Sequence, residues 1–429
     1  MAKILFWFPH AFHAPKMGSQ RRAFELLQAL LATGHEIYIA SANYPKGTGM
    51  EWTAEGRQLM LSMGVAGVYV HHSALDDLIG WLLRKFDEKT ENVRPLSSWA
   101  HTPPRLRQWF ASLVSRLKPD VLFMNYSASD QLVEAANFDR SHCLLETHDF
   151  VLLNKRMRRA LKPMLPHAPL HPSSARDEIL DLNWYHANNF RSDEEEARVC
   201  ARYACALSIS KREAEWIRSA EGHVEYLPMF LPISKSANSW DGSALFAAGL
   251  NDFNVQGYLW FTAKVLPLLQ QAEPDFQLTV CGGLSEQIAP LKGVKSLGIV
   301  PDLSKAYAHA RMAICPVFGG TGQQVKIAEA MAHGIPVVAL EKPAYESPLI
   351  DGENGFICRD AQSFAQACLQ LWNDPSLRAR LGTKAKQTME QQFSVADYRE
   401  KISTILADLL TKVQTSKLKR SHNLSSTPS

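Results

Sequence analysis

The stretch "RMAICPVFGGTGQQVKIAEAMAHGIPVVAL", residues 311–340, decides how this chain is read. It opens on an apolar run, 311–317, that reads as a buried strand. It passes through Gly319, Gly320, Thr321 and Gly322 into a helix-like run from near Gln323, and closes on a second strand, 335–340. Strand, helix and strand in that order point to an α/β chain with a parallel sheet. The turn carries little side chain for a physical reason. Glycine lets backbone N–H groups approach a ligand closely, and the helix N-terminus adds a partial positive charge. Together they make an anion cradle. Lys326 lies about one turn into the helix, with Glu329 three residues on and so on the same face. A lysine there neutralises a diphosphate; a carboxylate there accepts bonds from sugar or ribose hydroxyls. The plainer alternative is a glycine turn followed by a surface ion pair.

Outward from this unit the same grammar repeats. "KILFWF" (3–8) reads as a buried strand, "SQRRAFELLQALLATG" (19–34) as an amphipathic helix closed by Gly34, and "HEIYIAS" (35–41) as the next strand. Further strands are read at 119–126, 143–150 and 206–210, with helices at 194–204 and 214–222. "VEYLPMFLP" (224–232) carries two prolines and breaks the pattern, which places a hinge there. A second series follows: strands at 244–249, 276–283, 294–300, 311–317 and 335–340, a helix at 255–272, and closing helices at 361–373, 375–390 and 395–412. The expected fold is two Rossmann-like, doubly wound parallel-sheet domains facing across a cleft, where ligands sit at the carboxyl ends of strands. The expected domains are 1–228, 229–392, a C-terminal helix over 393–412 packing back toward the first domain, and a disordered polar tail over 413–429.

Composition sets the outer bounds. The chain has 429 residues, enough for two cores. It is 46% hydrophobic and 21% charged, with a net charge of +3, too small for bulk nucleic-acid binding. Its 7 cysteines are scattered, mostly in apolar runs, and none forms C-x-x-C, so reduced, packed thiols in a cytoplasmic protein are expected. The N-terminus has no long apolar h-region and no cleavage site, and no run is long enough to span a bilayer. No Asp-x-Asp and no His/Cys grouping suggests a metal or other cofactor site.

Taken in order, these segments resemble the retaining glycosyltransferases of the GT-B fold, family 4. "GTGQQVKIAEAMAHGIPVVAL" is similar to that family's donor-site signature. "GSQRRAFELLQALLATGHEIYIAS" resembles its first helix and second strand, and "LETHDF" (145–150) the strand that presents a histidine to the cleft. "ALFAAGLNDFNVQGYLWF" resembles the start of the second domain, and "DGENGFI" with "NDPSLRARLGTKAKQ" its closing segment. The resemblance covers roughly residues 1–412. It implies transfer of a sugar from a nucleotide sugar with retention of anomeric configuration. It implies that Glu329 holds the donor ribose, that Lys326 and the backbone of Gly320, Thr321, Gly322 and Gln323 bind the diphosphate, and that Asn254 lies beside them. His148 would sit near the transferred sugar, and Gly18, Ser19 and Arg22 would face the diphosphate from the first domain. Thr321 stands where many relatives carry an acidic residue, and "AGLNDFN" lacks the basic pair often found there. A narrower branch has a Gly-Thr-Gly loop plus a lysine, and this chain resembles it.

Each residue has a plainer reading. His148 also reads as a structural histidine, Arg21 and Arg22 as solvated helix charges, and Asn254 as the N-cap of the next helix. The segment 151–167 carries Lys155, Arg156, Arg158, Arg159 and Lys162 among leucines and methionines, in the domain expected to hold the acceptor. It reads as a contact for a membrane surface or an anionic acceptor, or as a solvated loop or helix. Acceptor selectivity is expected in loops within 42–118. Two other functions fit the same cleft: a nucleotide-sugar epimerase, and a catalytically silent nucleotide-sugar binding protein.

Overall fold

The computed structural model describes residues 1–15, 17–43, 50–90, 93–190, 193–235 and 237–425. The chain divides into two compact units. The first comprises Met1–Leu152, Ser192–Pro228 and Ala396–Ser429; the second comprises Leu153–Arg191 and Met229–Val395.

In the first unit seven parallel strands run β1 (Lys3–Phe8), β2 (Glu36–Ala42), β3 (Gly67–His71), β4 (Val121–Asn125), β5 (Cys143–Glu146), β6 (Cys205–Ser208) and β7 (Val224–Tyr226). Their order across the sheet is β3-β2-β1-β4-β5-β6-β7. Ile4, Leu5, Phe6, Trp7 and Phe8 are all buried, which is why β1 reads as an unbroken apolar run rather than an alternating one. Phe6 meets Phe123 at 5.2 Å and Phe12 at 5.7 Å between ring centroids. Truncating such a ring to alanine costs about 3–5 kcal/mol.

The second unit holds six parallel strands, β8 (Ala244–Ala247), β9 (Leu278–Cys281), β10 (Val294–Ser296), β11 (Met312–Cys315), β12 (Val337–Leu340) and β13 (Gly355–Cys358), in the order β10-β9-β8-β11-β12-β13. In both sheets the winding reverses between the first and fourth strands of the unit. That reversal opens a crevice outside their carboxyl ends, the place where doubly wound sheets bind ligands. In the second unit the crevice lies between β8 and β11, so the turn after each strand is a wall of it. The helix after β8 starts at Asp252 and runs to Ala272 through one π turn, Phe261–Val265. Pro267 just beyond has no N–H to donate back, which is the physical cause of the slip.

The segment 153–190 corrects the expected first domain of 1–228. It clusters with the second unit. Leu170 exchanges backbone bonds with Gln287 (2.6 Å) and Ala289 (2.9 Å), and Tyr185 Oη donates to Gln256 Oε1 at 2.7 Å. The basic residues of 155–162 are therefore not part of the first unit. The C-terminal helix Val395–Ser425 groups from Ala396 onward with the first unit. It also replaces the disorder expected over 413–425: "KVQTSKLKRSHNL" holds no glycine or proline to stop a helix, and Val413 is buried. Residues 426–429 lie outside the described residues. Within 42–118 the described residues form β3 and helices Ala54–Ser62, Ala74–Thr90 and Pro104–Leu117, and 44–49, 91 and 92 lie outside the described residues. All seven cysteines are free and buried.

Candidate functional site

The glycine turn after β11 is built for close approach. Gly320 has φ +100° and Gly322 φ +69°, backbone that side-chained residues rarely adopt. A Cβ on Gly319 would collide with the Tyr185 ring. The turn delivers the helix Val325–Ala332, slightly later than Gln323, with Gln324 at the N-cap and no side chain capping its first turn.

Lys326 is half-buried, and its ammonium points inward. Nζ donates to Asn254 Oδ1 at 2.9 Å and to Gln324 Oε1 at 3.3 Å, and it lies 6.0 Å from the Phe246 ring centroid. Burial pushes its pKa down, against the pull of Cys315 and Glu329. Asn254 is buried on the other wall of the crevice, after β8. Its amide donates to Gly249 O at 2.8 Å, which leaves the carbonyl oxygen aimed at the ammonium. Asn254 is thus not the N-cap; Asn251 is, accepting from Asn254 N at 2.9 Å. The structure brings Lys326 and Asn254 together although 72 positions separate them.

Gln323 is 8% exposed; its Oε1 accepts from Met229 N at 3.0 Å, and its buried Nε2 has no protein partner. A buried amide donor without an acceptor beside a glycine turn is an open position for an anionic oxygen. Thr321 Oγ1 accepts from Asn154 Nδ2 at 2.7 Å. Glu329 is half-buried and hydrogen-bonded by the Tyr307 hydroxyl, while Tyr307 stacks on His333 at 4.7 Å.

In the first unit His148 follows β5 at φ +56°, and Tyr126 follows β4 at φ +66°. The two rings stack at 4.3 Å. Non-glycine residues held at positive φ cost of order 1–3 kcal/mol each and persist where the surroundings over-determine them. Asn125 Nδ2 donates to Trp7 O at 2.7 Å, so its Oδ1 is the atom that meets His148 Nε2 at 2.8 Å. Nε2 therefore carries the proton, and Nδ1 is the acceptor of a neutral ring. Burial pushes the His148 pKa well down, and nearby Arg22 and His10 push it the same way.

Gly18 and Ser19 form the first turn of the helix Gly18–Leu31, where a Cβ on Gly18 would meet nothing within 4 Å. Arg22 corrects the sequence expectation. It is 1% exposed and donates to Glu146 Oε2 (2.9 Å), Leu227 O (2.7 Å) and Pro228 O (3.2 Å). Its guanidinium also lies over the Tyr398 ring at 5.0 Å. These partners make it an internal cation that ties the helix to β5, to the end of β7 and to the C-terminal helix, not a diphosphate contact.

Sequence reasoning missed Asn154, Gln324, Tyr307 and Asn125. Two left a signal. Asn154 is a polar residue one helical turn from buried Met157 and two from buried Leu161, and Asn125 is the polar close of the apolar run "VLFMN". The basic helix Val151–Leu161 buries Leu152, Leu153, Met157 and Leu161 and exposes Lys155 and Arg156; Arg158 pairs with Asp252 at 2.9 Å. No helix of the described residues is long and apolar enough to cross a membrane. No group of three or more His, Cys, Asp or Glu among the described residues is arranged to hold a metal ion.

Residues 242–374, which contain the glycine turn and Lys326, match the sequence model of the family described as glycosyl transferases group 1. The chain is 31% identical over 88 residues to trehalose synthase of Pyrococcus horikoshii, covering 20% of this chain and 21% of that protein. It is 32% identical over 136 residues to phosphatidyl-myo-inositol mannosyltransferase of Mycolicibacterium smegmatis, covering 29% of this chain and 35% of that protein. The match thus spans about a third or less of either relative's length. Among solved structures, sucrose-phosphate synthase from Thermosynechococcus elongatus superposes with a TM-score of 0.63 at 15% identity, over 96% of this chain and 100% of that one. HepE of Anabaena, solved with UDP-glucose, gives 0.58 at 14% identity, over 95% and 100%. At these identities the likeness shows the fold, which is that of the GT-B class.

Proposed function

We propose that this protein is a glycosyltransferase. It takes a sugar from a nucleoside-diphosphate sugar and passes it to a glycan, lipid-linked or small-molecule acceptor, with retention at the anomeric carbon. The observation that carries the reading is the inward-turned ammonium of Lys326, behind a positive-φ glycine turn and an uncapped helix start. Sugar departure builds negative charge on the diphosphate. A preorganised cation and convergent N–H donors stabilise that charge without reorganising at the moment of reaction. Lys326, Gln323 and the amides after Gly320 meet the diphosphate in this scheme, and no metal ion is required of them. Glu329 accepts from the ribose hydroxyls, and Thr321, buttressed by Asn154, faces the transferred sugar. On the first unit Gly18 and Ser19 offer N–H groups, and His148 Nδ1 accepts from a sugar hydroxyl.

Relatives named for phosphatidyl-myo-inositol mannosylation and for lipopolysaccharide core biosynthesis support a lipid-linked glycan as acceptor and a cytoplasmic enzyme working at a membrane's inner face. Exposed Lys155 and Arg156 support an anionic acceptor or bilayer surface as the partner of the helix Val151–Leu161.

The test is calorimetric titration with UDP, GDP and ADP and their sugars, followed by assay of nucleoside diphosphate release. Lys326→Met removes a charge-assisted contact of about 1.5–3 kcal/mol, so the diphosphate Kd rises roughly 10–150-fold. Glu329→Gln weakens nucleotide binding about tenfold by losing an ionised acceptor. Unchanged binding in both variants sinks the reading.

A further inference from the structure

Gly319 differs from its neighbours in the glycine turn. Gly320 and Gly322 hold a positive φ and Gly319 does not, so its backbone conformation does not call for glycine. A ring does: a Cβ at Gly319 would collide with Tyr185, which belongs to the segment 153–190. Tyr185 is 4% exposed and lies in the short helix Trp184–Ala187. The segment is anchored in the second unit by buried Leu170, Ile179, Leu180 and Trp184.

Three neighbouring turns meet on this ring, because β8, β11 and β12 are adjacent in the sheet. After β11, Phe318 lies edge-on to Tyr185 at 6.1 Å between ring centroids, and Gly319 rests against the ring. After β8, Phe253 lies at 6.2 Å, and Gln256 Oε1 accepts from the Tyr185 hydroxyl at 2.7 Å. After β12, Lys342 Nζ sits over the ring, 4.8 Å from its centroid. Gln256 is 0% exposed, and its Nε2 donates to Ile179 O at 2.8 Å, back to the segment that carries Tyr185. The helix of Gln256 also carries Asn254, the partner of Lys326. Tyr185 therefore ties the turn that offers amides to the wall that aims the lysine.

An amide cradle stabilises an anion well only when its donors already point at the charge. Three glycines among the four residues 319–322 leave this turn many backbone states to lose. A rigid, buried ring in the space beneath Gly319 removes the states in which the turn sinks inward. We propose that Tyr185 is a positioning residue for the diphosphate, its ring propping the turn 319–322 in the shape that presents the amides to the anion. This role rests on the donor-site reading and deepens it. It makes the segment 153–190 a working part of the donor unit rather than a connection between β5 and β6.

The experiment compares two ligands on the full chain: whichever of UDP, GDP and ADP wild type binds most tightly, by calorimetry, and its nucleoside, by ligand-observed NMR. Tyr185→Ala is expected to raise the diphosphate Kd about tenfold or more and to leave the nucleoside Kd within about twofold, since the nucleoside does not reach the turn. Tyr185→Phe keeps the ring and loses one hydrogen bond, so its diphosphate Kd stays within about threefold of wild type. Gly319→Ala pushes the turn off the ring and is expected to weaken the diphosphate as Tyr185→Ala does, with no further loss when the two are combined. Equal loss for diphosphate and nucleoside in Tyr185→Ala marks general loosening and overturns the proposal, as does a Tyr185→Phe as weak as Tyr185→Ala. Should Tyr185→Ala not fold, Gly319→Ala decides alone, and an unchanged diphosphate Kd overturns the proposal. If Lys326→Met weakens the diphosphate while Tyr185→Ala and Gly319→Ala do not, the donor-site reading stands and the role of Tyr185 falls. If wild type binds none of the three diphosphates, both fall.

Discussion

Arg22→Met separates a ligand contact from an internal cation. The methionine keeps an unbranched stem and deletes the guanidinium, so three donations end, to Glu146 Oε2, Leu227 O and Pro228 O. Glu146 is 0% exposed and retains the bond from His148 N at 3.3 Å. Burial already pushes its carboxyl up against the pull of Arg22, so losing Arg22 leaves a buried group with a charge it cannot easily hold. Removing one partner of a buried pair costs about 3–5 kcal/mol, and the two orphaned carbonyls fall within that figure rather than adding to it. At roughly 2–4 °C per kcal/mol for a unit of this size, the melting temperature falls by about 6–20 °C. Differential scanning calorimetry reads it directly. The double variant Arg22→Met/Glu146→Leu should recover most of the loss, because an apolar pair of similar volume replaces the ions. If Arg22→Met melts within about 2 °C of wild type while nucleoside diphosphate binding collapses, the assignment is refuted and Arg22 returns to the site.

Two further outcomes follow from the same geometry. The His148 pKa is pushed well down in the folded protein, whereas the unfolded chain takes up that proton near about pH 6.5. Its contribution to stability is therefore present above that pH and is lost as pH falls from there toward the folded value. The gap in melting temperature between wild type and His148→Gln should narrow from about pH 7.5 to about pH 5.5; a constant gap rules out the neutral ring. At Gly319 the added methyl of Gly319→Ala meets the Tyr185 ring, whose hydroxyl is bonded to Gln256. A loss of about 1–3 kcal/mol in chemical denaturation is expected. Gly319→Ala in a Tyr185→Ala background should cost less; equal cost in both backgrounds means the collision is relieved elsewhere.

Most strands of both sheets were legible as short apolar runs, since strands covered on both faces cannot hide their composition. The exceptions were β3, β7 and β13; the three residues of β7, Val224–Tyr226, open the stretch 224–232 whose two prolines read as a hinge. Every residue of "GVYVH" in β3 is only half-buried, and "GFIC" in β13 follows a glycine-rich turn whose polarity masks it. The glycine turn, Lys326 and Glu329 were legible because their spacing is local. A turn and one helical face need only a dozen neighbouring residues to declare themselves.

Partnerships across the chain were not legible in this way. Asn154 and Thr321 are 167 positions apart, and Arg22 and Glu146 are 124 apart. Nothing in the local pattern around Arg22 distinguishes a helix arginine bound for solvent from one bound for a buried carboxylate. Which strand edges meet, and so which loop of 153–190 clusters with which sheet, depends on the winding order, and that is a property of the whole fold. Burial also decided the chemistry of individual groups: it makes His148 a neutral acceptor and turns the Lys326 ammonium inward. Periodicity along a chain encodes which faces leave water, whereas charge state and pairing depend on the particular atoms that replace that water, and those come from distant sequence.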